Sequence, residues 1–172
     1  EGSVQAAVDA VVTAASPHWF PGVTKEGVSA IFHTTGNDAC HVILRGGTQT
    51  GPNYDTRHVS DVCARLSAKG RRDRVMIDCS HGNSLKDHRK QAGVASAVCE
   101  QVASGSWQIF GAMLESHLVE GRQDYVPGHP ARYGQSITDA CLSLEQTEPL
   151  LAQFSAAQQA RGGERNAHPR RD

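Results

Sequence analysis

Along this chain, short apolar runs that each close on a polar side chain alternate with longer stretches carrying apolar residues at helical spacing. The clearest run is Val75-Met76-Ile77, partly β-branched, which gives way at once to Asp78, Ser80, His81, Asn83 and Ser84. Such a run reads as a strand buried on both faces. Its polar end has two readings: chemistry at the C-terminal edge of a strand, or a helix capped by Asn83 or Ser84 with His81 as a loop residue. Cys40 to Leu44 is a second buried strand and runs into Arg45-Gly46-Gly47. Trp107 to Leu114 is a third and ends in Glu115-Ser116-His117.

Helical stripes fall between these strands. Val4, Ala7, Val8, Val11 and Val12 predict a helix over Glu1 to Ser16, and Val59, Val62, Cys63 and Leu66 predict one over Arg57 to Lys69 with Gly70 at its C-cap. Val94, Ala97, Val98 and Val102 predict a third from about Lys86 to Ala103, and Cys141, Leu144, Leu150, Leu151 and Phe154 a last one from Thr138 to about Ala160. His18 to Val23 and Val28 to Thr34 are extended runs around Lys25-Glu26-Gly27, a β-hairpin. Leu118 to Gly134 has no periodicity. The tail from 162 to 172 is polar and is expected to be disordered. The order strand, helix, strand, helix, strand, helix predicts an α/β chain with about four parallel, barrel-type strands and a hairpin insertion. A chain that enters an amphipathic helix almost at once also suggests further sequence upstream.

Composition narrows the function. The 172 residues suffice for one domain with a real core, and the formal net charge of -1 gives no electrostatic case for nucleic acid or a membrane surface. No apolar run reaches membrane-spanning length. The five cysteines (Cys40, Cys63, Cys79, Cys99 and Cys141) are scattered and lack CxxC spacing, so they read as reduced thiols of an intracellular, cytoplasmic protein.

Each buried strand therefore hands its end to a residue of catalytic type: Arg45, His81 and Glu115. A fourth, Asp139, sits at the start of the predicted last helix. In a parallel barrel all strand C-termini open on one face, so these four can converge. One histidine and two carboxylates suit zinc, manganese or iron with positions left open. The fork of Arg45, beside two glycines, suits a phosphate or carboxylate. Singly, Arg45 could equally serve a salt bridge, Glu115 a cap, and Asp139 a helix dipole. His88 and His117 read as hydrogen-bonded surface or supporting residues, and Lys69 to Arg74 as a solvated turn at the opposite end of the strands.

Cys40 to Gly47, Pro52-Asn53-Tyr54, Met76 to Ser84, Met113 to His117 and Tyr133 to Cys141 together resemble the type I 3-deoxy-D-arabino-heptulosonate 7-phosphate (DAHP) synthases, in family order and spacing. The resemblance implies a (β/α)8 TIM barrel of which residues 1–161 form the C-terminal half, about strands five to eight. It implies condensation of phosphoenolpyruvate with erythrose 4-phosphate, the first step of the shikimate pathway, with a divalent metal (manganese, iron, cobalt or zinc). By it, His81, Glu115 and Asp139 are metal ligands, with His81 and Asp139 catalytic, and Arg45 holds the phosphoenolpyruvate phosphate. Phe20 and Gly22 fall in the feedback-inhibitor region. Glycine there leaves space for a phenol hydroxyl, which points to tyrosine as effector. A homo-oligomer is implied for the full-length enzyme.

The family's cysteine ligand, its Lys-Pro-Arg-Thr stretch for erythrose 4-phosphate, and a lysine and arginine that contact phosphoenolpyruvate have no counterparts here. The expectation is a fragment, catalytically incompetent alone. Two other readings are a non-catalytic half-barrel that acts as a binding or assembly piece through its open strand edges, and another metal-dependent barrel aldolase or hydrolase.

Overall fold

The computed structural model describes residues 3–165. A parallel sheet of order β3-β4-β5 forms its centre, from β3 (Val42–Leu44), β4 (Val75–Asp78) and β5 (Ile109–Met113). Val42 lies opposite Val75 and Leu44 opposite Ile77, while Val75 lies opposite Ile109. All five of these side chains are buried, as β-branched and leucine side chains between two covering layers should be.

The layers are helical. α1 (Val4–Ala14) is capped by Ser3, whose hydroxyl accepts from the Ala6 N–H at 3.3 Å, and buries Val8 completely. α2 (Thr56–Ala68) connects β3 to β4, starts at the Asp55 cap, buries Val59, Val62, Cys63 and Leu66, and is left through Gly70 at a φ of 66°. α3 (Gln91–Ala103) connects β4 to β5 and buries Val94, Ala95, Val98, Cys99 and Val102. These residues join one hydrophobic core that α4 (Leu144–Arg165) completes with Leu150 and Ala157. All five cysteines are free thiols, and burial pushes the Cys79 thiol up to about 12 and that of Cys63 to about 11.

The predicted hairpin is present as β1 (Trp19–Val23) and β2 (Ser29–His33), antiparallel, with Phe20 stacked on Phe32 and Trp19 on His33. Trp19, Val23 and Ile31 are exposed.

Four stretches depart most from the sequence reading. The helix expected from about Lys86 begins at Gln91, after a 3-10 turn at His88–Lys90, because Leu85 and Lys86 both take left-handed φ values of 55° and 61°. The helix expected from Thr138 begins at Leu144, so Asp139 stands in a bend, not in a first helical turn. There the Ser136 hydroxyl accepts from the Thr138 N–H at 3.2 Å, an alternative to the helical ladder. The aperiodic Leu118 to Gly134 region contains β7 (Val119–Arg122), paired in parallel with β8 (Gln135–Ser136). Its polar Glu120-Gly121-Arg122 core carries no hydrophobic alternation to read. Finally, α4 continues through Gly162 and Gly163 to Arg165, where an irregular tail was expected. The rest of that tail, 166–172, lies outside the described residues.

Three contiguous parallel strands stand where about four were expected. Beyond the end of β5, β6 (Ser116–His117) pairs in parallel with β9 (Leu142–Ser143). Along β5 itself a cavity of about 430 Å3 opens between strand and α4, lined by Ile109, Phe110, Leu151 and Phe154. A second, of about 230 Å3, follows β3 past Val42, Leu44 and Arg45.

Candidate metal centre

The turn after β4 is shaped by its own polar residues. Asp78, 2% exposed, accepts from the Ser80 N–H at 2.8 Å through one carboxylate oxygen and meets His81 Nδ1 at 2.7 Å with the other. That contact fixes the histidine tautomer: Nδ1 carries the proton to the carboxylate, which leaves Nε2 as a lone-pair donor. His81 itself sits at a left-handed φ of 49°, uncommon for a non-glycine residue and held here by bonds on both sides.

Asn83, nearly fully buried, secures the turn to the neighbouring strand. Its Nδ2 donates to the carbonyls of Leu44 at 2.9 Å and Asp78 at 2.8 Å, its Oδ1 accepts from the Asn53 N–H at 2.8 Å, and its N–H donates to the Arg45 carbonyl at 3.1 Å. Gly46 and Gly82 touch backbone to backbone: a Cβ on either would lie 2.6 Å from main-chain carbon of the other. Only glycine allows that approach, and it brings the strand end that bears Arg45 against the turn that bears His81.

Glu115, just past β5, points back at this turn. Its Oε2 accepts from the Ser80 hydroxyl at 2.8 Å, and its Oε1 lies 3.3 Å from His81 Nε2. Asp139 completes the group: the ligand atoms of His81, Glu115 and Asp139 all lie within 4.8 Å of one another. Two donors on one ion with bonds of about 2.1 Å stand roughly 3.0–3.4 Å apart at octahedral to tetrahedral angles, and the His81–Glu115 pair has that separation. One imidazole and two carboxylates, oriented by Asp78 and Ser80, therefore fit a divalent transition metal. Cys141 lies close by; its thiol donates to the Asp139 carbonyl at 3.4 Å, and burial pushes its pKa up.

Three of the four groups named from sequence thus meet around one point. Arg45 is exposed and joins the rim through its backbone. Phe20 and Gly22 lie on the separate two-stranded hairpin, and the space expected beside Gly22 for a phenol hydroxyl is not open, because the Phe32 ring fills it, 2.8 Å from an added Cβ. His117 accepts from the Leu118 N–H and His88 meets Glu120 at 2.8 Å; neither joins the cluster of His81, Glu115 and Asp139. The supporting Asp78 and Ser80 were visible as polar residues only. Their signal was the Asp78-Cys79-Ser80-His81 spacing, which lets a strand-end carboxylate turn back on the imidazole.

Comparison with known proteins adds an independent line. The model of a family described as the DAHP synthetase I family matches residues 2–152. A phospho-2-dehydro-3-deoxyheptonate aldolase of Haemophilus influenzae is 55% identical over 160 residues, which cover 93% of this chain and 44% of that protein. The Phe-sensitive phospho-2-dehydro-3-deoxyheptonate aldolase of Escherichia coli is 49% identical over 163 residues, 95% of this chain and 46% of that one. The solved structure of the Francisella tularensis aldolase of the same name superposes with a TM-score of 0.87 at 50% identity, over 94% of this chain and 46% of its own. The chain spans somewhat less than half the length of the relatives it matches.

Proposed function

This chain belongs to the DAHP synthetase I family, and from that premise we propose that it supplies strands five to eight of a TIM-barrel synthase. The longer enzyme condenses phosphoenolpyruvate with erythrose 4-phosphate and water to give DAHP and phosphate. The observation that carries this reading is the meeting of His81, Glu115 and Asp139 within 4.8 Å of one another just past β4 and β5, with the backbone of Arg45 bonded to the turn that bears His81. The open edges of β3 and β5, each with a cavity alongside, are where further barrel strands would pack.

In this reading His81 Nε2, Glu115 and Asp139 hold a divalent metal, which when bound acts as a Lewis acid on the aldehyde of erythrose 4-phosphate. Asp78 keeps the imidazole in the tautomer that leaves Nε2 available, and Ser80 fixes one oxygen of Glu115 so that the other faces the shared point. Arg45 clamps the phosphoenolpyruvate phosphate with its planar fork, at a distance from the metal residues that Asn83 and the Gly46–Gly82 contact hold constant. Asp139, exposed to solvent, is placed to exchange protons with bound water. The effector is an aromatic amino acid acting at the hairpin of Phe20 and Gly22, tyrosine by the family resemblance. The full-length protein is cytoplasmic and oligomeric. Among the described residues no helix is long and apolar enough to cross a membrane.

The test is phosphate release from phosphoenolpyruvate in the presence of erythrose 4-phosphate and Mn2+. The chain alone should be inactive. Supplying the preceding half of the Haemophilus influenzae relative as a second polypeptide should restore turnover that EDTA abolishes, that Arg45→Ala lowers strongly, and that tyrosine inhibits more than phenylalanine does. Turnover by the chain alone would refute the half-barrel reading. A soluble, Mn2+-loaded assembly of the two halves without turnover would favour a binding piece over an enzyme.

A further inference from the structure

Gln91, the first residue of α3, is fully buried, and its amide is spent on a single residue. Its Oε1 accepts from the Glu115 N–H at 2.8 Å and its Nε2 donates to the Glu115 carbonyl at 3.1 Å. A primary amide that meets both main-chain groups of one residue mimics a ladder partner, and here it is the acceptor for the Glu115 N–H. It does so just past the end of β5, whose only strand neighbour among the described residues is β4. The Glu115 carbonyl also accepts from the Leu142 N–H at 3.0 Å, so α3 and β9 hold this peptide from two directions. Ser80 fixes the far end of the same side chain at 2.8 Å. With backbone and carboxylate both tied, Glu115 has little freedom left to lose when an ion arrives.

We propose that Gln91 is a positioning residue for metal binding: by clamping the main chain of Glu115 it aims that carboxylate at the point shared with His81 and Asp139. The proposal rests on the reading of these three residues as a metal site. No pattern in the sequence marks Gln91, because its partner lies 24 positions along the chain.

An amide that merely satisfied a buried strand end would stabilise the fold and leave metal affinity alone. Gln101 supplies that comparison: it lies on the same helix and donates to the Tyr54 carbonyl at 2.8 Å, touching no member of the triad. Mn2+ alone is titrated into wild type, Gln91→Met, Gln91→Glu and Gln101→Leu by calorimetry, with folding checked by circular dichroism and the bound ion read by electron paramagnetic resonance. Gln91→Met keeps the side chain's shape and loses both bonds, so it should bind Mn2+ about 10-fold more weakly or worse and give an altered resonance spectrum. Gln91→Glu, which can still accept from the Glu115 N–H, should fall between. Gln101→Leu should lose thermal stability and keep both the affinity and the spectrum of the wild type. A folded Gln91→Met with wild-type affinity and spectrum would overturn the role of Gln91 and leave the triad standing. If that variant fails to fold, Gln91→Glu decides by the same criterion. A wild type that takes up no Mn2+ would bring down the triad and this proposal together.

Discussion

His81 and Glu115 stand at the ends of buried strands, each held by hydrogen bonds from residues that are themselves mostly buried. Asp139 stands in an exposed bend ahead of α4, in a segment whose strands are two residues long. The difference is one of preorganisation. On the strand side, the conformational entropy of aiming the ligands is lost on folding, so little remains to be lost on binding. On the Asp139 side the ligand keeps its freedom and can adjust to whichever ion and substrate arrive. A site with two rigid donors and one adaptable one accepts several divalent metals more readily than a closed cage would.

The comparison breaks most directly at the ligands. His81→Ala should abolish measurable Mn2+ binding, because it removes the only nitrogen donor and the residue around which the turn is locked. Asp139→Asn keeps an oxygen on an adaptable segment and should weaken binding by about 10-fold. Isothermal titration of the two variants checks the order. Equal losses would mean that the exposed bend is as rigid as the strand ends.

One step back from the ligands, Asp78→Asn should weaken Mn2+ binding by about 10- to 100-fold, because the imidazole loses the carboxylate that fixes its tautomer. Asp78 is 2% exposed, with the Ser80 N–H and His81 as partners, so the same change should also cost about 1–3 kcal/mol of folding stability. Ser80→Ala removes one hydroxyl bond to Glu115 and should show the same two effects at a few-fold and about 1 kcal/mol. Urea denaturation alongside the titration separates the two. A stability loss without an affinity loss would make Asp78 a fold residue only.

The same contrast explains what the sequence disclosed. β3, β4 and β5 are legible because burial on both faces demands unbroken apolar runs such as Val75-Met76-Ile77, and the residues that follow them are legible as site candidates for the same reason. α2 and its exit at Gly70 are legible from the spacing of Val59, Val62, Cys63 and Leu66. The segment around Asp139 is not, since β7, β8 and β9 are short, half-exposed pairs whose registers depend on main-chain partners such as Gly121 with Cys141. The start of α3 is not legible, because the left-handed Leu85 and Lys86 are imposed by the turn, not by their own propensities. Asp139, whose carboxylate lies within 4.8 Å of the ligand atoms of His81 and Glu115, stands out in the sequence only by the family resemblance and its polarity. Its predicted setting, a first helical turn, is absent. Gln91 and Asn83 act largely through bonds to residues distant in sequence, and no periodicity carries that information.

The smallest effect lies on the adaptable side and depends on pH. Glu120 of β7 accepts from His88 Nε2 at 2.8 Å and from the Gln146 amide at 3.1 Å, and so ties the exposed segment to the 3-10 turn and to α4. The His88 bond above all, then that from Gln146, holds its carboxyl below the ordinary carboxylate range, with the charges of His88 and Arg89 acting in the same direction. Folding therefore favours the ionised form. Its contribution is complete above the unfolded-state pKa and is lost as pH falls through the lower folded-state value. Wild type should consequently be more stable than Glu120→Gln near neutrality, and the two should converge as pH falls below the ordinary carboxylate range. Because the carboxylate is substantially exposed, solvent screening keeps the difference small. Thermal denaturation of both proteins across that range reads it. If the gap stays constant with pH, Glu120 acts by shape and not by charge; if it closes in acid, the adaptable side of the site is the one that acid loosens first.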